Sequence, residues 1–244
     1  MNLRLTLLLA AVLLSLSSAY AQGVDKLPEH PPVATVRFEC VWEAATPQDF
    51  IVLAGAMGDA RYFSRNPTAP AQPQNTRNGA INAAFLPDYH VEFTLSPGSQ
   101  AKIFKLANQA NFFKGDFDFK KHPVANTGTK TLTYADPGRH SETTYNWSEN
   151  SAIDQLTHLF EGISTTLEHG RRLEFLHRYD KLGLEDELKA MEDAAQSHYL
   201  AEIQAIKPVL EKVAGDTSVL NIARQRARRL LEMAGKETAQ NAAR

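Results

Sequence analysis

The single cysteine, Cys40, rules out an intrachain disulfide framework, so the fold must rest on a buried core even in an oxidising compartment. Charge of one sign is equally scarce: 26 Lys and Arg against 28 Asp and Glu leave a formal −2, which favours neither nucleic acid nor an anionic membrane surface as a partner. The only extended apolar run lies between Leu5 and Leu16, about half the ~20 residues a spanning helix needs. Signature motifs are missing as well. There is no Gly-x-Ser-x-Gly elbow, Walker loop, Gly-x-Gly-x-x-Gly or His-Glu-x-x-His, which leaves nucleotide, acyl-serine and zincin chemistry without support and implies no cofactor.

What is present starts with the N-terminus. Met1-Asn2-Leu3-Arg4, the apolar run, and then Ser17-Ser18-Ala19-Tyr20-Ala21-Gln22 place small residues, Ala19 and Ala21, where a signal peptidase cuts. Residues 1–21 read as a cleavable secretory signal peptide, and the mature chain is expected to start near Gln22. No Cys stands at that cut, so lipid anchoring by the lipoprotein route is not expected. A soluble periplasmic or secreted protein follows as the expectation.

A Pro-rich leader, Leu27-Pro28-Glu29-His30-Pro31-Pro32, spans the end of residues 22–32 and reads as an extended spacer. From Val33 the pattern alternates, with Val36, Phe38, Cys40 and Trp42 on one face and Arg37 and Glu39 on the other, the period of a half-buried strand. Phe50 to Ala54, Gly55-Ala56-Met57-Gly58-Asp59 and Arg61-Tyr62-Phe63 form a hairpin pattern. Residues 66–80, rich in Asn, Pro, Gln, Ala and Gly, read as a mobile loop. Alternation resumes at Tyr89, Val91, Phe93 and Leu95, and Ser96-Pro97 supplies an N-cap and a first-turn proline for a helix through about Phe113. A strand pair follows, Lys130–Tyr134 and His140–Trp147, joined at Asp136-Pro137-Gly138.

From Ser151 the apolar spacing becomes helical. Ile153, Leu156, Phe160, Ile163 and Leu167 lead into a helix that is expected to pass Gly170, continue through Leu173, Leu176 and Tyr179, and stop at Leu182-Gly183 with Gly183 as C-cap. A second helix is predicted from Leu184 to Val213, with Leu188, Met191, Ala195, Tyr199, Ile203, Ile206 and Leu210 in line and a kink at Pro208. A third is predicted from Asp216 or Thr217, with Leu220, Ala223, Ala227, Leu230 and Leu231 inward, fraying by Gly235. The fold class is thus α+β: a small, mostly antiparallel sheet with a packing helix over residues 33–150, then a layer of about three helices over 151–234 and a disordered tail over 235–244.

The order strand, helix, Phe112-Phe113, Gly128-Thr129-Lys130-Thr131-Leu132-Thr133-Tyr134, then a helix with Leu156, Phe160 and Ile163, resembles an uncharacterised family of small exported bacterial domains. The resemblance covers about Tyr89 to Gly170. It implies a strand-helix-hairpin-helix unit and export, and it carries no activity across.

Candidate chemistry competes with plainer roles. Glu174 and His177 have the spacing with which di-iron bundles present ligands, but the helical region holds no second such pair. Asp154, His158 and Glu161 share a helical face and could hold zinc, yet no fourth ligand is evident, so solvated side chains are the expectation. Cys40 shares its strand face with Phe38 and Trp42 and is expected to be buried and slow to react. The segment from Phe112 to Phe119 crowds four aromatics among acids; alternation puts Phe117 and Phe119 on one face, a candidate glycan or peptide contact if exposed. Arg224, Arg226, Arg228 and Arg229 form a basic patch for an acidic partner, with Arg224 and Arg228 the candidate contacts, or else a solvated face that complements a helix terminus. Asn146-Trp147-Ser148 matches a glycosylation acceptor.

Two functions follow as expectations. The favoured one is a non-catalytic binding or envelope-associated module for a protein, peptide or surface polymer. The alternative is a hydrolase whose acid and base meet only in three dimensions, drawing on carboxylates such as Glu142 and Glu149 and a His of the first long helix.

Overall fold

The structure, a computed structural model, describes residues 27–66 and 88–242. Residues 1–21, read as a signal peptide, and most of the loop read over residues 66–80 lie outside these. Six strands form one antiparallel sheet: β1 (Thr35–Val41), β2 (Asp49–Gly55), β3 (Asp59–Arg65), β4 (Tyr89–Thr94), β5 (Thr129–Asp136) and β6 (Arg139–Tyr145), in the order β4-β3-β2-β1-β5-β6. The fold is α+β, with helices α1 (Pro97–Gln109), α2 (Ser151–Tyr179), α3 (Leu184–Gln196), α4 (Lys207–Gly215) and α5 (Asn221–Ala242).

β1 sits at the centre because its alternation is clean. Val36, Phe38 and Cys40 are buried on one face, while Arg37 and Glu39 on the other hold each other at 2.9 Å. Trp42 leaves this pattern: β1 ends at Val41, and the indole is partly exposed over Gly128. The buried face meets α2, where the Phe38 and Phe160 rings stack at 5.2 Å. Cys40 lies in this apolar layer, and desolvation pushes its thiol up to about 11. A maleimide at pH 8 is therefore expected to label Cys40 at least about tenfold more slowly in the folded protein than in urea, where the thiol returns to the ordinary range; equal rates would show the thiol to be accessible.

α1 begins as the sequence predicts. Ser96 accepts from the Ser99 N–H at 3.2 Å, and Pro97 opens the first turn. α2 starts where Asn150 Oδ1 accepts from Ala152 and Ile153, at 3.0 and 3.2 Å. It runs about 43 Å at 1.5 Å per residue and is buried nearly all round, since the sheet covers one side and the C-terminal helices the other. Gly170 does not interrupt it. Gly162, Thr166 and Gly170 instead line a shallow channel along α2, where the backbone from Leu200 to Ile206 crosses: Ala201 N–H donates to the Gly162 carbonyl at 3.3 Å and to Thr166 Oγ1 at 3.2 Å.

Several helix boundaries depart from expectation. α2 ends at Tyr179, which is exposed, with Asp180 as its C-cap, and Gly183 precedes α3 with an ordinary φ of −67°, so it is an N-cap and no C-cap. The helix predicted from Leu184 to Val213 is two helices. α3 closes in a Schellman turn, Tyr199 N–H to the Ala194 carbonyl and His198 N–H to the Ala195 carbonyl, with His198 at φ 59° where glycine is usual. Tyr199 is exposed as a result. Pro208 lies in the first turn of α4 and starts that helix where a kink was expected. α5 begins at Asn221, so Leu220 is outside it and exposed, and it continues to Ala242 past Gly235.

Candidate functional site

Between α1 and β5 the chain makes a long irregular arm, Lys114 to Gly128, entered through a 3₁₀ turn at Asn111–Phe113. All three residues of that turn have positive φ, 50°, 54° and 67°. For side chains of L configuration this costs about 1–2 kcal/mol each, so something must hold the turn. Phe113 is fully buried in the core. The Phe112 ring lies 4.8 Å from that of Tyr134, under the Arg139 guanidinium at 3.9 Å, and Ser141 Oγ donates to the Phe112 carbonyl. Such forced backbone concentrates at functional segments.

The arm is fixed further along by backbone and side-chain bonds to the end of β6. Phe119 N–H donates to the Trp147 carbonyl at 2.9 Å, and Asp118 Oδ1 accepts from Asn146 N–H at 2.9 Å. At its exit the buried Lys130 ammonium donates to the carbonyls of Thr127 and Asn146, at 2.9 and 3.1 Å, and to Thr127 Oγ1 at 3.0 Å. These three acceptors satisfy a charge that burial otherwise penalises. Gly128 has φ 94°, and a Cβ there would stand 2.6 Å from Trp42 Cβ.

Between the arm and the start of α2 opens a cleft of about 450 Å³ lined by residues 116–121 and 148–150. Its charges are paired among themselves. Asp116 holds Lys120, and the Lys121 ammonium meets Glu149 at 2.6 Å. The Lys120 hydrogen bond and the Asp118 N–H hold the Asp116 carboxyl below the usual carboxylate range. Phe119 lines the cleft, packed edge-on against Trp147 at 4.8 Å and against His122 at 4.7 Å. Trp147 is 41% exposed, and Val41, Trp42 and Val124 are exposed at the same end of the sheet.

The predicted site residues divide. Phe117 and Phe119 do not share a strand face, because residues 114–128 form no strand: Phe117 turns onto the core while Phe119 stands against Trp147. Both nevertheless line the same cleft. The arginine patch is occupied internally. Arg226 and Arg229 both grip Glu192, Arg226 also reaches Glu185 at 3.1 Å, Arg228 donates to the Ala214 carbonyl at 3.2 Å, and Arg224 to Asn221 Oδ1 at 3.2 Å. Arg226 and Arg229 thus tie α5 to α3 through carboxylates, while Arg224 and Arg228 meet neutral acceptors. His177 bonds Asp216 at 2.9 Å and not Glu174; Asp154 and His158 form an exposed pair at 3.5 Å. Among the described residues no three His, Cys, Asp or Glu side chains converge to hold a metal. The Asn146 amide is engaged on both sides, by the Thr127 N–H and the Ala125 carbonyl, each at 2.9 Å, so the nitrogen a glycan would occupy is already bonded in the folded chain.

Two buried polar clusters escaped sequence reasoning. Glu168 on α2 accepts from Tyr62 at 3.0 Å and Ser64 at 2.5 Å across the sheet, with Ser164 bonded to Tyr62 at 2.9 Å; burial, with the Glu168 charge beside it, pushes the Tyr62 phenol well up. Glu202, 1% exposed at φ 61°, accepts from Ser96 N–H and Ser96 Oγ, both at 2.7 Å, and caps α1 from a distance. Ser164 and Glu168 sit four apart on the apolar stripe of α2, a signal visible in the sequence. Nothing local marks Glu202 as Ser96's partner.

Fold and cleft together define a class: a six-stranded antiparallel sheet carrying an arm-built surface cleft, backed by two helical layers. Neither family models, nor curated proteins, nor solved structures give a match to the chain.

Proposed function

We propose that this chain is an exported, non-catalytic binding module of the cell envelope or its surroundings, and that the cleft beneath the arm is its ligand site. The observation that carries the reading is the combination of a partly exposed aromatic in the lining, Phe119 packed on Trp147, with a strained and heavily braced entry turn at Asn111–Phe113. Strain maintained by this much packing is costly to a domain that needs only a connection between α1 and β5. Export rests on the signal-peptide pattern of residues 1–21. Among the described residues no helix is long and apolar enough to cross a membrane.

The binding reading is favoured over the hydrolase because the lining carboxylates Asp116 and Glu149 are each paired with a lysine, Asp118 accepts from Asn146, and the lining contains no histidine. A general acid and base need unpaired groups aimed at one reacting atom. Glu142 instead accepts from Thr133 at 3.1 Å on the hairpin.

Amine acylation read by mass spectrometry tests the site. Incubating the mature protein with solubilised envelope material is expected to protect Lys120 and Lys121 from the reagent while leaving the exposed Lys189 on α3 unchanged. Protection confined to other lysines, or none at all, would remove the cleft from consideration.

A further inference from the structure

We infer that the cleft takes a segment of an uncharged polysaccharide chain, an inference that rests on the cleft being the ligand site. The case starts from charge. The lining holds three carboxylates and two ammonium groups, Asp116, Asp118, Glu149, Lys120 and Lys121. Both ammonium groups and two of the carboxylates are consumed in Asp116–Lys120 and Lys121–Glu149 pairs. An anion would meet both ammonium groups already neutralised and gain little net attraction from them. Sugar hydroxyls donate and accept at once, so they can bridge a carboxylate and an ammonium that remain paired, and neutrality carries no desolvation penalty of a full charge.

The aromatic wall points the same way. Phe117 and Phe119 are the aromatic rings of the lining, and Phe119 stands edge to face with the partly exposed Trp147 next to the cleft, with the Lys121 ammonium 5.8 Å from the Phe119 ring centroid. A pyranose presents an apolar face of C–H groups that packs on such a surface, and the polar rim satisfies its hydroxyls. A peptide would gain less. The Phe119 N–H is already given to the Trp147 carbonyl, and the arm is not a strand, so no backbone ladder is offered for an extended chain to join. The cleft is an open surface feature of about 450 Å³, room for a few sugar units of a passing chain, where a small metabolite would be enclosed on most sides.

The test uses the full mature protein on two arrays, one of uncharged oligosaccharides (hexoses and N-acetylhexosamines, α- and β-linked) and one of random heptapeptides. Binding to at least one oligosaccharide class is expected. Its affinity should fall about tenfold or more in Phe119→Ala and be retained in Phe119→Tyr, which keeps the ring. Raising salt to about 0.5 M should change it less than roughly twofold, because no ionic contact is formed. Far-UV circular dichroism and a urea midpoint confirm that the variants fold. No signal on the whole saccharide array overturns the inference. Peptide binding lost in Phe119→Ala would overturn it while leaving the cleft as the site; saccharide binding unaffected by either variant would place the ligand elsewhere and overturn both.

Discussion

Gly170→Ala is expected to destabilise the protein by about 1–3 kcal/mol, although replacing a mid-helix glycine by alanine ordinarily stabilises a helix by about 1 kcal/mol. The two effects oppose, and the geometry decides between them. A Cβ at position 170 would lie 2.4 Å from Ile206 Cγ2 and 3.0 Å from Ile206 Cβ, and Ile206 is buried and, being β-branched, stiff at χ1. The Leu200–Ile206 crossing must then lift from α2, with the bonds that Ala201 makes to Gly162 and Thr166. Gly235 on α5 is the internal control: nothing lies within 4 Å of its would-be Cβ, so Gly235→Ala should show the propensity gain alone, up to about 1 kcal/mol. Urea unfolding midpoints of the two variants should move in opposite directions. A stabilised Gly170→Ala would mean that the crossing does not lie where it is described.

The same crossing carries the second large effect. Glu202→Ala should cost about 3 kcal/mol, since it removes a buried carboxylate that accepts from Ser96 N–H, Ser96 Oγ and Gln204, and leaves the Ser96 N–H without a partner at the start of α1. Glu202→Gln keeps the shape and one carbonyl acceptor and should lose about half as much. Glu202 also sits at φ 61°, where a Cβ is disfavoured, so Glu202→Gly should exceed Glu202→Ala in stability by about 1 kcal/mol despite the smaller side chain. Thermal or urea denaturation gives the order wild type, Gln, Gly, Ala. An Ala variant more stable than the Gly variant would refute the left-handed cap.

How far the chain was legible follows from where each feature's cause resides. β1, the β2–β3 hairpin and the Asp136-Pro137-Gly138 turn were readable because a period of two and turn residues are written locally. So were the starts of α1 and α2, where Ser96-Pro97 and Asn150 do their capping within a few residues. The break after Gln196 was hidden because His198 occupies the left-handed position of the Schellman turn, and without glycine there the apolar spacing from Leu188 to Leu210 runs on as if through one helix. Glycines 162 and 170 left the helix uninterrupted, as expected, but their use is the passage of a segment some forty residues away, about which local pattern is silent.

The site was half legible. Phe117 and Phe119 stood out by composition, and both line the cleft. Their arrangement did not follow from alternation, because the arm takes its course from Phe113 in the core and Asn146 beside it. The arginines of α5 were conspicuous for their density, yet the partners of Arg226 and Arg229, Glu185 and Glu192, belong to α3, so that half of the pattern is closed from within while Arg224 and Arg228 meet neutral acceptors.

The arm is secured at its entry by the buried Phe113 and at its exit by Lys130, and neither anchor belongs to the stretch between them. Those intervening residues contribute no strand to the sheet and no turn to a helix. Within the segment from Asp116 to Lys121, Phe117 packs on the core and Asp118 bonds Asn146, so exchanging the other four residues alters what the surface recognises while sheet and helices keep their register. A lineage of such proteins could diversify its ligands by rewriting one short passage, and a laboratory library confined to that passage would sample new specificities on an unchanged scaffold.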